Sequence, residues 1–304
     1  MALTLLQLID RTSGELGLAQ PVSVIGSASN QTAQFFALAN ALGEDLMRDF
    51  EWQRLTKIYV FQTTVAVTTT GTTVSASAVI TAIPSTSSIS AGYVVSGTGI
   101  RSYSEVSTVD SSSQVTMNIP ATAAGTGVTL KFAKQDYSMP SDYDRMVAGT
   151  QWDRTNYWRS RGVRSSQEWA MLQGGVVTIA GTQLSYRLYG NALRLFPAPT
   201  AVASLAYEYV SNNWVLLSGG TAPTKASFTL DTDTYTFPDD LMRAGLKYYF
   251  LKAKKLDFGV EEEAFNKIKA ARQAQDVPES TKSLSRTYGD EVFSPNIPEG
   301  NWNL

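Results

Sequence analysis

The sequence predicts an α+β protein: a helical bundle built from N- and C-terminal helices, a β-rich middle, and an inserted small all-β module. Three observations predict this class. Helical periodicity is confined to residues 1–57 and 239–275, short β-type segments fill the region between them, and the composition changes abruptly near residue 58. With 304 residues, 43% of them hydrophobic, the chain is long enough for about two structural units.

The first 57 residues predict two short amphipathic helices. In each, apolar side chains recur at the spacing of one helical face, and Ser29 or Asn30 offers an N-cap for the second helix. The two stripes are Leu5, Ile9, Thr12 and Leu16, then Phe35, Ala39, Leu42, Leu46 and Phe50. Because such helices bury only one face, they need packing partners from elsewhere in the chain.

Residues 62–133 predict the inserted β-module. Short β-branched segments alternate there with Gly and Ser turns, and Ser and Thr make up more than a third of the region. Only four of its side chains are charged, namely Arg101, Glu105, Asp110 and Lys131. A tract so rich in Ser and Thr could instead be disordered, but its density of β-branched residues favours a folded module.

The remaining chain completes the predicted core. Residues 145–214 read as β-rich, with strands near 184–188, 192–196 and 205–210 and a turn at 197–199. Pro238 and Asp239 open a third helix, and a fourth follows Gly259. The domain prediction is therefore a core over 1–61 and 134–276 (helical bundle plus β-rich middle), an inserted module over 62–133, and an extended C-terminal docking arm over 277–304.

The composition excludes much enzyme chemistry. The chain has no cysteine and no histidine, so thiol nucleophiles, His-dependent triads and Cys/His zinc sites cannot be built within it. A glycosidase would need two carboxylates, one with a raised pKa, and no spacing selects a pair among Asp142, Asp144, Asp153 and Glu168. We predict no enzyme activity, no cofactor and no metal, and a hydrolase remains the weaker alternative.

Residues 145–169 interleave arginines with aromatic residues. This mixture occurs in protein interfaces, and it can also bind single-stranded nucleic acid by stacking and phosphate contact. The nearby carboxylates are expected almost to cancel the positive charge, which favours the protein interface. The predicted interface residues are Trp152, Arg154, Trp158, Arg159 and Arg161.

The C-terminal arm, residues 277–304, contains several prolines and regularly spaced apolar side chains. Segments of this kind become ordered on a partner, so Tyr288, Phe293 and Trp302 are the predicted anchors of a docking arm. A plain disordered tail is the alternative.

Neither a membrane location nor export is predicted. No segment reaches the roughly 18 apolar residues of a membrane span, and the N-terminus lacks the basic region of a signal peptide. The expected place of synthesis is the cytoplasm. A formal charge of −2 also lacks the basic excess of a protein that wraps nucleic acid.

Four segments carry a resemblance to a known family. They are 49–55 (DFEWQRL), 139–145 (MPSDYDR), 190–199 (GNALRLFPAP) and 237–241 (FPDDL). Together with the terminal helices, they make the chain similar to the head-to-tail adaptor (head-completion or tail accessory) proteins of short-tailed bacteriophages. Residues 89–100 and 125–130 also look like a β-repeat frequent in phage structural proteins.

The resemblance implies a homo-oligomeric ring, usually a dodecamer, beneath the portal protein at the head–tail junction of the virion, assembled in the host cytoplasm. DNA would pass transiently and without sequence specificity through its channel, and the arm would reach a neighbouring ring. Further implied partners are the tail nozzle and the tail-fibre proteins. The alternative function is a carbohydrate-binding tail or receptor-binding protein that uses the Ser/Thr-rich module and its tyrosines.

Overall fold

The computed structural model describes residues 3–162, 164–174 and 183–276. These residues form five α-helices and sixteen strands, and the predicted mixed α+β class is confirmed. The helices are α1 (Leu5–Glu15), α2 (Asn30–Asp49), α3 (Ser166–Gln173), α4 (Asp239–Ala253) and α5 (Gly259–Asp276). The strands are β1 (Thr56–Gln62), β2 (Val67–Thr73), β3 (Val79–Thr81), β4 (Val94–Gly97), β5 (Ser104–Ser111), β6 (Gln114–Met117), β7 (Gly125–Ala133), β8 (Asp136–Ser138), β9 (Tyr143–Met146), β10 (Trp152–Asp153), β11 (Trp158–Arg159), β12 (Ser185–Tyr189), β13 (Ala192–Phe196), β14 (Ser204–Ser211), β15 (Val215–Leu216) and β16 (Thr234–Tyr235).

The described residues divide into two compact units. Unit 1 comprises residues 3–57, 142–147 and 208–276, and unit 2 comprises 58–141 and the described part of 148–207. In unit 1, β9 pairs with the second half of β14 and β15 pairs with β16. In unit 2, β10 pairs with the first half of β14. Unit 1 contains four of the five helices, and unit 2 contains most of the strands.

Helices from both ends of the sequence contribute to one hydrophobic core in unit 1. Leu5, Leu8 and Ile9 of α1 belong to the same buried cluster as Leu241 and Leu246 of α4. The apolar stripe of α2 is buried as its periodicity predicts, except that Phe50 is only partly buried. Burial of these faces is the main stabilising term for short helices, which are marginal by themselves.

Two caps define where α1 and α2 begin. The Gln7 amide donates to Thr4 Oγ1 at 3.2 Å, and Gln7 Oε1 accepts from the Thr4 amide at 3.1 Å, which completes a capping box. For α2, the Thr32 amide donates to Ser29 Oγ at 3.4 Å. Of the two N-caps that the sequence allowed, the structure uses Ser29.

Strands β2 to β7 of unit 2 form a closed barrel with the order β2-β3-β6-β5-β4-β7. All neighbouring strands are antiparallel, and closure leaves no exposed sheet edge. The barrel has its own buried cluster, formed by Ile80, Ile83, Ile89, Val95, Val106, Val115, Met117, Ala121, Leu130 and Phe132. The density of Val and Ile in this stretch therefore supplies a packed interior, while Ser and Thr occupy much of the outer surface.

A three-stranded antiparallel sheet of unit 2 lies beside the barrel, with the order β12-β13-β8. Arg194 of β13 forms a bidentate ion pair with Asp136 of the neighbouring strand β8 (both distances 2.7 Å), and it lies 3.7 Å from Glu105 of the barrel strand β5. Its guanidinium also lies 4.2 Å from the centre of the Tyr189 ring. These contacts raise the pKa of Arg194, chiefly through the hydrogen bonds to Asp136. The Asp136 pair holds β13 against β8 within the sheet, and the Glu105 contact joins the sheet to the barrel.

Replacing Arg194 with methionine is expected to lower the free energy of unfolding by about 2 kcal/mol. The loss is smaller than for a fully buried pair because a third of the Asp136 side chain remains exposed to water. Urea unfolding measures the change, and amide exchange over residues 67–133 shows whether the barrel loosens. Arg187→Met is the matched control, since Arg187 lies directly opposite Arg194 in the register and forms no ion pair within the described residues. Equal effects of the two substitutions would contradict this role of Arg194.

Helix α3 is a difference from the sequence prediction, which treated residues 145–214 as β-rich. The Glu168 amide donates to Ser165 Oγ at 3.2 Å, and Glu168 Oε2 accepts from the Ser165 amide at 3.0 Å. This reciprocal pair is a capping box, and its Ser-x-x-Glu spacing was readable in the sequence. The prediction instead assigned Glu168 and Trp169 to the arginine-rich and aromatic stretch.

Candidate interaction site

The predicted contact residues lie around a short hairpin formed by β10 and β11 in unit 2. Asp153, only 2% exposed, holds the turn. Its Oδ1 accepts from the amides of Thr155 and Asn156 at 2.9 and 3.0 Å, and its Oδ2 accepts from Asn156 Nδ2 at 2.8 Å. A carboxylate that accepts from the backbone two and three residues ahead is a typical turn-forming arrangement.

Strand alternation places the predicted residues on two faces of the hairpin. Trp152 pairs with Arg159, and side chains of an antiparallel pair project to the same face. The Arg154 amide continues the ladder by donating to Ser204 O at 2.7 Å, and the Arg161 amide donates to Leu184 O at 2.8 Å. One face, which we call the hairpin face, therefore carries Trp152, Arg154, Arg159 and Arg161.

The opposite face is the buried one. It carries Gln151, Asp153 and Ser160, all buried, together with Trp158, which is half-buried. The structure thus brings four of the five predicted contact residues together and separates Trp158 from them. Tyr157 adds an aromatic side chain that the prediction left out. It lies at the tip with a positive φ of 58° and is 57% exposed.

The charge of this region differs from the sequence-based expectation. Between residues 148 and 207 there are six arginines and only two carboxylates, Asp153 and Glu168. Asp153 is used in the turn, and Glu168 in the cap of α3. Arg154 and Arg161 are exposed, and neither forms an ion pair within the described part of the chain. The expected cancellation of charge is therefore wrong for these two arginines.

The two remaining carboxylates belong to unit 1 and have their own partners. Asp142 accepts from Lys57 Nζ at 2.7 Å, from Tyr209 Oη at 2.8 Å and from Ser211 Oγ at 2.7 Å. Asp144 accepts from Arg145 at 2.8 Å. Asp142 is therefore bonded within unit 1, whereas Asp144 pairs with Arg145, the first arginine of the stretch.

Trp169 lies within the same arginine-rich stretch but is not part of a surface. It is 3% exposed and packs edge-on against Phe196, with ring centres 5.8 Å apart. Tryptophan buries a large apolar area, so Trp169 is a core residue of unit 2.

The four carboxylates considered for hydrolysis have structural roles. Burial alone would raise the pKa of Asp142, but hydrogen bonds from Lys57, Ser211 and Tyr209 outweigh it and hold the pKa below its ordinary value. Hydrogen bonds from Ser165, backbone first, likewise lower the pKa of Glu168. A general acid needs the opposite shift. Within the described residues, no group of three or more acidic side chains is placed to hold a metal ion.

A second feature, a cleft beside β4 in unit 2, was not predicted. Its volume is about 340 Å³, and its lining combines barrel residues with the segment that follows β13. The residues that we consider functional are Arg101 and Tyr103, in the loop between β4 and β5. A signal was present in the sequence, because Arg101 is one of only four charged residues between 62 and 133.

The predicted arm anchors, Tyr288, Phe293 and Trp302, lie outside the described residues. Within the described residues, no helix is both long enough and apolar enough to cross a membrane. Comparison with protein-family models gave no match, and comparison with curated proteins gave no significant match.

Proposed function

We propose that the chain is a structural virion protein that forms a ring connecting the portal to the tail of a short-tailed phage, with DNA passing through its channel. The observation that carries this proposal is the core of unit 1, to which α1, α2, α4 and α5 all contribute although more than 180 residues separate α2 from α4 along the chain. In the adaptor family that the sequence resembles, such terminal helices form the ring.

The proposal also includes the division of the chain into domains. The terminal helices would constitute the bundle of an adaptor core over 1–61 and 134–276, residues 62–133 would be an insertion into that core, and 277–304 would be the docking arm. The closed barrel of β2–β7 supports an insertion, because it has a hydrophobic interior separate from the core of unit 1.

The hairpin face is the proposed contact with a neighbouring subunit or the tail. Unit 2 carries 9 basic and 5 acidic residues, a charge of +4, whereas the described part of unit 1 carries 14 basic and 18 acidic residues, a charge of −4. Ring contacts are head-to-tail, so a basic surface on one copy meets a different surface on the next. The opposite charges of the two units support such pairing between copies.

Electron microscopy of the purified protein, alone and mixed with portal protein, tests the ring. We expect closed rings that bind the portal, and a chain that stays monomeric and never binds it would overturn the proposal. The double substitution Arg154→Glu and Arg161→Glu is expected to weaken assembly by about tenfold or more, because it replaces two attractive contacts with repulsive ones.

Lys131→Glu is the matched control for that substitution. Lys131 is an exposed cation on β7 of the same unit and forms no ion pair within the described residues. Thermal unfolding should be similar in both variants, since the three side chains are at the surface. If the double variant assembles normally, the hairpin face is not the contact between subunits. The ring itself is tested separately by electron microscopy.

A second candidate is the carbohydrate-binding tail or receptor-binding protein. The observation that favours it is the cleft beside β4, which has the size of a small-ligand site and combines an apolar floor with a few polar groups. Failure of ring formation together with glycan binding by the full chain would favour this function over the connector.

A further inference from the structure

We propose that the cleft beside β4 is a binding site for a carboxylated sugar, such as a uronic or sialic acid unit of a surface glycan. The connector role and this site are independent, since the cleft lies wholly within unit 2. Three features carry the inference: a fixed loop, an uncompensated cation, and a shallow floor with hydroxyl groups at its rim.

The loop that carries Arg101 and Tyr103 is held in place. Ser104, which is fully buried, donates to Arg101 O from its amide at 3.2 Å and from its Oγ at 2.9 Å. Tyr103 adopts a φ of 60°, a left-handed conformation that a bulky residue rarely takes. Its ring lies 4.6 Å from that of Phe196. A strained residue kept in place by its surroundings is typical of ligand sites.

Arg101 supplies the charge. Its side chain is exposed, and it forms no ion pair within the described part of the chain. An arginine beside an apolar surface binds a carboxylate through two parallel hydrogen bonds, which gives both affinity and orientation. Burial raises the pKa of the Tyr103 hydroxyl, so this group stays protonated and can donate a further hydrogen bond.

The remaining lining favours a sugar over a peptide side chain. The apolar part of the lining includes Val94, Ala133 and Pro197 and contains no aromatic side chain other than Tyr103. Hydroxyl groups of Ser96 and Ser102 lie at the exposed rim. A pyranose ring has an apolar C–H face and hydroxyl groups at its edge, and a volume of about 340 Å³ is sufficient for a small ligand of this class.

Isothermal titration calorimetry of the full chain tests the site with two probe pairs. These are digalacturonic acid and sialyllactose, each with its own methyl ester, so that the two members of a pair differ only in the carboxylate charge. We expect saturable binding of at least one acid, and binding at least about tenfold weaker for its neutral counterpart. Absence of binding by both acids, or equal binding within both pairs, would overturn the proposal.

Arg101→Met is expected to weaken binding of the acid by about tenfold or more, while Lys267→Met leaves it unchanged. Both side chains are exposed cations, and Lys267 lies on α5 of unit 1, so neither substitution should affect folding, which differential scanning calorimetry checks. If the two variants bind the acid with equal affinity, the cleft beside β4 is not the binding site. Because ring formation is measured separately, failure here leaves the connector proposal untouched.

Discussion

Replacing Asp233 with alanine is expected to lower the free energy of unfolding of unit 1 by about 3 kcal/mol. The Asp233 carboxylate is 0% exposed and accepts from Lys225 Nζ at 2.9 Å and from the amides of Thr229 and Leu230 at 2.8 and 2.9 Å. Alanine would remove all of these bonds and leave the ammonium group of Lys225 without its partner. The expected loss is at the lower end for buried pairs because the Lys225 side chain is 22% exposed and can regain water.

The position of Asp233 explains why this loss affects the whole unit. Its backbone oxygen accepts from the Leu5 amide at 2.9 Å, so the loop before β16 holds the first turn of α1. Lys225 accepts from the amides of Trp214 and Val215 through its own carbonyl oxygen. The ion pair therefore fixes the place where the N-terminal helix meets the C-terminal half of the chain.

Denaturant unfolding of Asp233→Ala, with Asp257→Asn as the control, measures the effect. Asp257 is exposed and, among the residues that the structure describes, accepts only from the Gly259 amide at 3.3 Å, so its substitution should change the free energy of unfolding by less than about 0.5 kcal/mol. A small effect at Asp233, comparable with that at Asp257, would contradict the argument.

The same pair makes stability depend on pH. Burial would raise the pKa of Asp233, but the hydrogen bonds from Lys225, Thr229 and Leu230 outweigh it, so the folded pKa lies below the ordinary value. The contribution is therefore present above the ordinary aspartate pKa of about 3.9 and is lost as the pH falls below it. The difference between the wild-type protein and Asp233→Ala should shrink in that acidic range.

Gly43→Ala should be the second strongly destabilising substitution, with a loss of about 2 kcal/mol. A Cβ atom at Gly43 of α2 would lie 2.2 Å from the Trp214 ring. That ring is 0% exposed and packs edge-on against Phe228, with ring centres 4.9 Å apart. Because the indole has no free space to move into, the helix must shift, and this strain exceeds the gain of about 1 kcal/mol from replacing a helical glycine with alanine.

Gly14→Ala is the matched control in α1. Its Cβ would approach only the end of the flexible Gln20 side chain, at 3.0 Å, so the substitution should be neutral or slightly stabilising. The smaller ring in Trp214→Phe should partly rescue Gly43→Ala, which makes the double substitution less damaging than the two separate losses combined. Additive losses would show that the indole is not the obstacle.

Much of the secondary structure was predictable from residue spacing. Local signals located three helices: the apolar stripes that begin at Leu5 and Phe35, the N-cap at Ser29, and Pro238 at the start of α4. Such signals are readable because the contacts within a helix join residues only three or four positions apart. The strands predicted at 192–196 and 205–210 followed from their apolar and aromatic content, and the structure has them at 192–196 and 204–211. Helix α3 was missed because a short helix with one buried side chain, Trp169, has almost no periodicity.

The candidate sites were less predictable. The sequence identified the arginine-rich stretch, but it could not show that Trp152 and Trp158 lie on opposite faces of the hairpin. Strand pairing decides which face each side chain occupies. The sequence suggested that Asp142 and Asp144 both neutralise arginines of this stretch. Asp144 does pair with Arg145, but Asp142 instead accepts from Lys57 in unit 1. Arg101 was visible as an isolated charge, whereas its position beside Pro197 depends on contacts nearly a hundred residues apart.

The sequence by itself determined the mixed α+β class, the positions of four helices and the absence of cysteine and histidine chemistry, because these depend on composition and on short-range spacing. Only the tertiary structure decided the closed order of the barrel, the ion-paired contact of Arg194 with Asp136, and the burial of Asp233. Those features pair residues far apart along the chain, and many alternative pairings satisfy the same local pattern. Side-chain packing and the satisfaction of buried charges select one of them.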